Sequence, residues 1–576
     1  MEKIRHTLAH LLAQAAKEHY PSALLTLGPA VENGFYYDID FGEDKINNED
    51  LKKLEKTMKK KLSSWKEFKQ KKVTDKEAKE YYKDNPYKLE LIDGIISKGE
   101  DITLYTCGNF TDLCQGGHIN HPAKNIPKDS FKLDRVAGAY WRGDEKNKML
   151  TRIYGLSFEN KEELEKYEKM RVEAEKRDHR KLGKRLKLFT FDEEIGKGLP
   201  LWLPKGNIIK EELEKWAKEV EAEWGYQRVT TPIITKENLF FTSGHLPLYK
   251  DSMYAPIEIE KENYYLKPMN CPFHHKIFSS SIRSYKELPL RLAEYGWCHR
   301  YEDSGSLFGL MRVRGMQMND AHIYTPPEKA IDEFVEVIKL HEYMYKTLGI
   351  EKYEMELALR DPEKMDKYHG EEKDWKLAEK MTIEAMEKSG VPFRVENEGA
   401  AFYGPKMDFQ IYSSIGRIFS ASTNQLDLYM GKRFNLEYID KDGNKKVPYI
   451  IHRAPLGTHE RFIGFLIEHF AGNFPTWLSP VQVIILPISE KQVDYAKSIY
   501  KEIKKFRVEL DDSAESLGKR IRTAKMQKVP YIIVIGDKEK DSKTITVETR
   551  TKKLETIKLE KFLERIEKEV SERTLN

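Results

Sequence analysis

"RLAEYGWCHRYEDSGSLFGLMRVRGMQMNDAHIY" (residues 291–324) is the densest polar cluster in this 576-residue chain. Two strand-like runs flank the turn DSGS, and arginine, glutamate, aspartate and histidine interrupt them. An arginine fork matches two phosphate oxygens with parallel hydrogen bonds, so Arg300, Arg312 and Arg314 together read as a polyphosphate grip. Each of them taken singly reads as ordinary surface. A second cluster, IIHRAPLGTHERFIGFLIEHF (450–470), points the same way: an apolar strand ends in His452, Gly457 turns the chain, and Arg461 falls in the first turn of an amphipathic helix. A helix N-terminus carrying an arginine is a natural anion site. Neither GxxxxGK[ST] nor GxGxxG occurs, so a nucleotide must be held by some other fold.

Working outward, the length allows about three or four domains of ~100–200 residues. Hydrophobic residues make up 40% and aromatics 11%, enough to fill real cores. The 98 Lys+Arg against 94 Asp+Glu leave a net charge of +4, which does not announce a nucleic-acid binder, although local basic patches fit inside that balance. Four cysteines, Cys107, Cys114, Cys271 and Cys298, are too few for a disulfide scaffold and imply a reducing compartment. No signal-peptide pattern opens the chain and no run of ~18 apolar residues occurs, so a cytoplasmic protein without a membrane partner is expected.

Residues 1–20 read as a helix with Ile4, Leu8, Leu11, Leu12 and Ala15 on one face. His6 and His10 fall roughly opposite, away from the anchoring stripe, which suits a cleft. FYYDIDF (35–41) alternates like a strand, and 49–83 reads as a lysine-rich helical stretch. Residues 161–187 are nearly all charged or helix-forming, as in an exposed connecting helix whose basic end, RDHRKLGKRLK, can touch phosphate. From 479 onward VQVIILPI, YIIVIGD and TITVETR alternate with helices at 490–505 and 513–527, a small α/β module. Cys114 and His118 in TDLCQGGHINH repeat the four-residue step of His6 and His10, and such spacing by itself says zinc.

The residues now quoted carry a family resemblance. VTTP ending at Pro232, Arg300-Tyr-Glu302 with its downstream arginines, and the helix-borne Arg461 resemble motifs 1, 2 and 3 of class II aminoacyl-tRNA synthetases. KPMNCP, NDAHIY and IIHRAPLG narrow this to the threonyl-tRNA synthetases, and HTLAH, NGFYYDID, DLCQGGH and AGAYWRGD resemble that family's editing domain. The resemblance implies an α+β multidomain chain: an N-terminal α/β editing domain (1–158), a connecting helix (159–183), an antiparallel-sheet class II catalytic core (184–478) and a C-terminal α/β anticodon-binding domain (479–576). The small N-terminal ubiquitin-like domain of many members is not expected.

The implied activity is ATP-dependent joining of threonine to tRNA(Thr) through threonyl-adenylate, with hydrolysis of mischarged seryl-tRNA(Thr), in a homodimer. One Zn²⁺ per subunit is implied on Cys271, His322 and His452, and Mg²⁺ accompanies ATP. Arg300, Glu302, Arg312, Lys406, Thr458 and Arg461 are the implied ATP contacts, with Arg300 and Arg461 catalytic. Asp320, Tyr403, Gln425 and Met269 would contact threonine, and His245 would assist transfer. His6, His10, Lys88, Asp112, Cys114 and His118 would form a metal-free editing site. Several residues depart from the family pattern: Met316 stands for a usual phenylalanine, Met318 and Ser420 for usual glutamines, and Phe273 for a common glycine. Ala514 and Glu548 stand where asparagine and arginine often read the anticodon. The competing readings are a synthetase-like RNA-binding or regulatory paralogue, a deacylase acting through its N-terminal domain, and an inhibitor-resistant second copy of the enzyme.

Overall fold

The computed structural model describes all residues except 362–367, 398, 414–417, 552 and 576. The chain forms two compact units, Met1–Val172 and Glu173–Asn576. No helix among the described residues is long and apolar enough to cross a membrane.

In the first unit, strands Leu24–Leu25, Gly34–Asp40, Met149–Ser157 and Phe131–Tyr140 pair in that order, with Ala30–Val31 on the Gly34–Asp40 hairpin. Helices Glu2–His19 and Asp50–Leu62 bury Leu8, Leu12, Leu54 and Met58 against Phe35, Tyr37, Ile39 and Ile153. The first helix is buried from Thr7 to Ala16, and His10 is 4% exposed. His6 and His10 lie off the apolar stripe and line a cavity, as expected, although the covering sheet leaves His10 buried. The opposite side is covered by the sheet Phe68–Lys72, Thr103–Cys107, Phe110–Leu113, and Gln14 there takes a hydrogen bond from Trp65 Nε1 at 2.8 Å. Phe68–Lys72 also corrects the helical reading of 49–83: it is a lysine-bearing edge strand, a device that keeps an open sheet edge from pairing further. The expected continuous, exposed connecting helix is instead two helices, Lys161–Arg177 and His179–Leu186. Asp178 caps the second, and His179, Leu182 and Leu186 of the basic end are buried.

In the second unit, eight described strands form one sheet in the order Gln227–Arg228, Leu290–His299, Gly315–Thr325, Tyr449–Ala454, Ile418–Asp427, Lys406–Tyr412, Tyr353–Ala358, Phe393–Glu396. Its central pairs are antiparallel and only the two outermost pairs are parallel. Register decides the site, because side chains alternate between faces with period two. Lys406, Gln425, His452 and His322 lie in one row across four neighbouring strands and share a face. The next row, Met407, Asn424, Arg453 and Ala321, points the other way. That second face packs on helices Pro204–Glu223, Ala330–Thr347, Glu372–Ser389 and His459–His469 through Leu213, Trp216, Phe334, Ile338, Met386 and Phe462.

The C-terminal module is a five-stranded sheet, Val508–Leu510, Val483–Pro487, Tyr531–Ile535, Ile545–Thr549, Leu554–Ile557. Arg507 ties it to the helix below the large sheet through Glu212 at 2.7 Å.

Candidate active sites

A cavity of about 600 Å³ opens over the polar row of the large sheet. Its floor joins three elements. Cys271 begins the helix Cys271–Phe278, His322 lies on Gly315–Thr325, and His452 lies on Tyr449–Ala454. Their donor atoms all fall within 4.8 Å of one another, and all three residues are buried. Each histidine is held at its other nitrogen: His452 Nε2 is 3.0 Å from Asp427 Oδ2, and His322 Nδ1 is 2.8 Å from His274 Nδ1. His322 Nε2 is buried and has no hydrogen-bond partner. Such an orphan is costly unless something accepts its lone pair. Burial keeps His322 neutral, well below the ordinary imidazole pKa, which is the ligating form. Burial also pushes the Cys271 thiol well up, so it ionises only opposite a cation. Two imidazoles oriented from behind, one thiol and an open side fit a zinc ion of the three-ligand type.

Around that floor stand Met269, Arg300, Met318, Asp320, Tyr403, Lys406, Ser420, Gln425, Thr458 and Arg461. Asp320 Oδ2 accepts from Asn270 Nδ2 at 2.9 Å, and burial raises its carboxyl. Gly296 makes this possible: a Cβ there would lie 2.2 Å from Asn270 Oδ1. Tyr403 donates to Gln425 Oε1. Gly457, at φ +55°, turns the chain so that Thr458 caps the helix His459–His469, accepting from Arg461 N at 3.3 Å. Arg461 lies at that helix start. Burial lowers its pKa, Asp408 works the other way, and the like charges of Arg312 and Arg300 add to the lowering. Neither Arg300 nor Arg461 has an ion-pair partner among the described residues, so positive charge is left for an anion.

Not every expected residue lines this cavity. Glu302 and Arg312 stand on the adjoining loop, paired at 3.5 Å. His245 is 2% exposed beside Phe402, with Nδ1 2.7 Å from Ser243 Oγ and Nε2 buried without a partner; burial and Arg300 hold it near pKa 3. Met316 packs with Cys298 and Val313 away from the opening.

The first unit has a second cavity, about 390 Å³, lined by His6, His10, Tyr37, Lys88, Asp112 and Cys114. Cys114 Sγ lies 3.5 Å from His6 Nε2 and 3.3 Å from His118 Nε2, and accepts from Gly116 N at 3.2 Å. His10 Nε2 is 3.3 Å from His6 Nε2, and His10 Nδ1 is 3.5 Å from Asp112 Oδ2. His118 stacks on Phe68 at 3.9 Å and reaches Thr7 Oγ1 at 3.4 Å. Lys88, buried in the first turn of the helix Pro86–Ser97, pairs with Asp112 at 2.6 Å; Tyr37 donates to the same carboxylate at 2.6 Å. Burial by itself raises the Asp112 carboxyl, but Lys88, then His10, and the hydrogen bonds bring it below the ordinary range. Burial takes His10 to about 3 and His118 to about 2, and lifts the Cys114 thiol to about 11. The cluster is therefore neutral imidazoles and a thiol beside one buried ion pair. Its four ligand-type atoms are close enough for a metal, yet no imidazole among them is a buried orphan.

Comparison with known proteins fits both sites. Residues 254–470 match the family model "tRNA synthetase class II core domain (G, H, P, S and T)", residues 482–569 the "Anticodon binding domain", and residues 102–154 the "Threonyl and Alanyl tRNA synthetase second additional domain". The threonine–tRNA ligase of Geobacillus kaustophilus is 45% identical over 579 residues, covering 100% of this chain and 88% of that protein. That of Thermus thermophilus is 46% identical over 590 residues, covering 99% and 89%. The chain belongs to the threonyl-tRNA synthetases. A solved structure of the RNA binding domain of threonyl-tRNA synthetase from Cryptosporidium parvum Iowa II superposes with TM-score 0.65 at 37% identity, over 68% of this chain and 98% of that one.

For a threonyl-tRNA synthetase, sequence reasoning left out the supporting residues: Asn270 behind Asp320, Asp427 behind His452, His274 behind His322, and Tyr37 behind Asp112. Asp427 was within reach. It stands two residues after Gln425 on one strand, hence on the same face. The others depend on contacts between distant segments, for which a single sequence carries no signal.

Proposed function

We propose that the chain activates threonine with ATP, transfers it to tRNA(Thr), and hydrolyses seryl-tRNA(Thr) at its second site. The observation that carries this reading is the Cys271–His322–His452 trio on the floor of the cavity that also holds Arg300 and Arg461. ATP enters as its magnesium complex. Arg300 holds the α-phosphate and the amino-acid carboxylate, and Arg461 holds the γ-phosphate. Glu302 accepts from the adenine amino group, while Arg312, Lys406 and Thr458 steady the polyphosphate and sugar. Asp320 binds the ammonium of threonine, and Tyr403, Gln425 and Met269 wall its side chain. A carboxylate oxygen attacks the α-phosphorus, the bond to pyrophosphate breaks, and threonyl-adenylate remains. The terminal ribose hydroxyl of the tRNA then attacks the adenylate carbonyl, its proton passes to the departing phosphate as AMP leaves, and His245 aids transfer from beside the cavity. The chain contributes mainly positioning and charge complementarity.

Cys271, His322 and His452 would hold a zinc ion, which would supply Lewis-acid coordination favouring an amino acid that carries a hydroxyl group. Valine lacks the hydroxyl, and a site built for that group rejects its absence strongly. Serine keeps it, and the missing methyl is worth only ~1–3 kcal/mol, so mischarging is frequent and a second site is needed. There His6, His10 and Cys114, with Lys88 and Asp112, orient the ester and a water molecule. The water oxygen bonds to the ester carbonyl carbon, and serine leaves the ribose oxygen. This site is read as working without a metal, its imidazoles and thiol contacting one another beside the Lys88–Asp112 pair.

The aliphatic side chains after Pro232 support a homodimer: Ile233, Ile234, Ile257 and Ile259 are 38–47% exposed on or beside one small sheet. ATP–pyrophosphate exchange with threonine, valine and serine tests the whole reading. Exchange with threonine and serine but not valine is expected; exchange with none of them defeats it.

A further inference from the structure

The basic stretch RDHRKLGKRLK turns inward one residue that neither site uses. His179 opens the helix His179–Leu186 and is fully buried, with a partner at each ring nitrogen. Leu310 N lies 3.1 Å from Nε2, and Glu468 Oε1 lies 2.7 Å from Nδ1. A backbone N–H only donates, so Nε2 accepts and the ring proton sits on Nδ1, aimed at Glu468. The His179 amide donates to the same carboxylate oxygen at 3.3 Å. Leu310 stands at the tip of the loop that joins Leu290–His299 to Gly315–Thr325, closed where Phe308 N donates to Arg312 O at 3.2 Å. That loop carries Glu302 and Arg312. Glu468 lies on the helix His459–His469, seven residues after Arg461 and therefore on one face with it. The loop tip lies along that face: a Cβ at Gly464, between the two, would stand 3.2 Å from Leu310 Cβ. Gly309, at φ +50°, brings the tip onto the imidazole, since a Cβ there would fall 2.2 Å from His179 Nε2. Arg180, next in the helix, holds its guanidinium 4.3 Å from the centre of the Phe308 ring.

Resting on the ligase reading, we propose that His179 is a positioning residue for ATP: it fixes the loop that presents Glu302 and Arg312 against the helix that presents Arg461, so that all three meet one nucleotide. It acts through those residues and not on the nucleotide itself. Leu310 alone would not set this register, because apolar burial is non-directional, whereas an N–H aimed at one ring nitrogen fixes both distance and angle. Placement matters here: a shift of about 1 Å away from the chemistry can cost a hundredfold in rate. Arg312 already lies near enough to Arg461 to help lower its pKa. Asp320 and Gln425, proposed to meet threonine, stand instead on the sheet strands Gly315–Thr325 and Ile418–Asp427. A loosened loop therefore weakens ATP and spares threonine.

The test compares the full chain as wild type, His179→Gln, His179→Asn and Gly309→Ala. Glutamine carries its amide to the place of Nε2 and can still accept from Leu310 N. Asparagine reaches only the place of Nδ1, so it keeps Glu468 and leaves that N–H unmet. In pyrophosphate exchange His179→Asn is expected to raise KM for ATP about tenfold, the scale of one buried N–H left without its bond, with KM for threonine within about twofold of wild type. His179→Gln stays within about threefold on both. Gly309→Ala, which pushes on the same ring from the loop side, shows the ATP effect of His179→Asn. Amide hydrogen exchange over residues 308–312 reads the contact itself: about tenfold faster in His179→Asn and in Gly309→Ala, and within twofold of wild type in His179→Gln. Equal rises in KM for ATP and threonine overturn the proposal, as do equal losses in His179→Asn and His179→Gln, or wild-type hydrogen exchange in His179→Asn. If His179→Asn does not fold, Gly309→Ala decides by the same ATP-to-threonine split and the same hydrogen exchange. Absence of pyrophosphate exchange in the wild type defeats the ligase reading, while hydrogen exchange still reports whether His179 holds the loop.

Discussion

His322 Nε2 is a buried ring nitrogen without a partner, whereas every imidazole of the His6 cluster touches a neighbour. That difference at single atoms supports the proposal of a metal at the Cys271 cluster, although both clusters bring their ligand-type atoms within 4.8 Å. With Arg300 proposed to hold the α-phosphate, Arg300→Ala is expected to lower pyrophosphate exchange a hundredfold or more, on the scale of ~2.7–4 kcal/mol for a key electrostatic donor. Near-normal exchange in that variant contradicts its role. His341, fully buried and stacked on Phe409, gives a pH prediction. Burial holds it near pKa 3, so it stays neutral in the fold while the unfolded chain titrates near 6.5. Between those values the unfolded state binds the extra proton, and stability falls as pH falls. Replacing it by an uncharged ring, His341→Phe, is expected to remove about 1.4 kcal/mol per pH unit from the slope of unfolding free energy between pH 6 and 4. Urea titrations at those two pH values measure it, and an unchanged slope contradicts it.

The strand Tyr449–Ala454 works on both faces of the sheet. His452 faces the cavity; Arg453, next in sequence, is buried on the other side against Glu221 at 2.7 Å and over Tyr226. Glu221 lies on the helix Pro204–Glu223 and also takes Arg228 at 2.6 Å and Asn319 Nδ2 at 2.8 Å. Glu221→Ala strands two guanidinium groups and is expected to cost about 3–5 kcal/mol in denaturant unfolding, the range for breaking a buried pair. A loss below 1 kcal/mol would mean that water already serves Arg453. Elements of this kind also mark what a sequence can disclose. The Arg461 helix and its Gly457 turn were legible because cap, glycine and periodicity are local signals. Phe68–Lys72 was not, since its lysines mimic a solvated helix and its strand character comes from pairing with Thr103–Cys107. That His10 lines a cleft was legible, but its burial was not, because the sheet that covers it lies some sixty residues and more downstream, at 68–113. His322 and His452 meet through register between strands far apart in sequence, with Cys271 added from a helix; spacing alone points to His6, His10, Cys114 and His118, and only the family resemblance pointed to the proposed trio.

In the whole molecule, two units carry two chemistries on different principles. In the proposed reading the catalytic unit selects by what it can ligate and charge-match, and the first unit removes what that selection cannot exclude. Separate functions should separate under mutation. The double variant His6→Ala, His10→Ala is expected to keep threonine exchange and zinc at one per chain, while seryl-tRNA(Thr) accumulates; zinc falling from two to one would contradict the metal-free assignment. The measurement closest to the central claim is zinc-edge X-ray absorption of the purified protein, with and without threonine. One sulfur and two imidazole nitrogens are expected throughout, with two further light-atom ligands from threonine and no change on adding valine. A protein without zinc, or a ligand shell that threonine leaves unaltered, would contradict it.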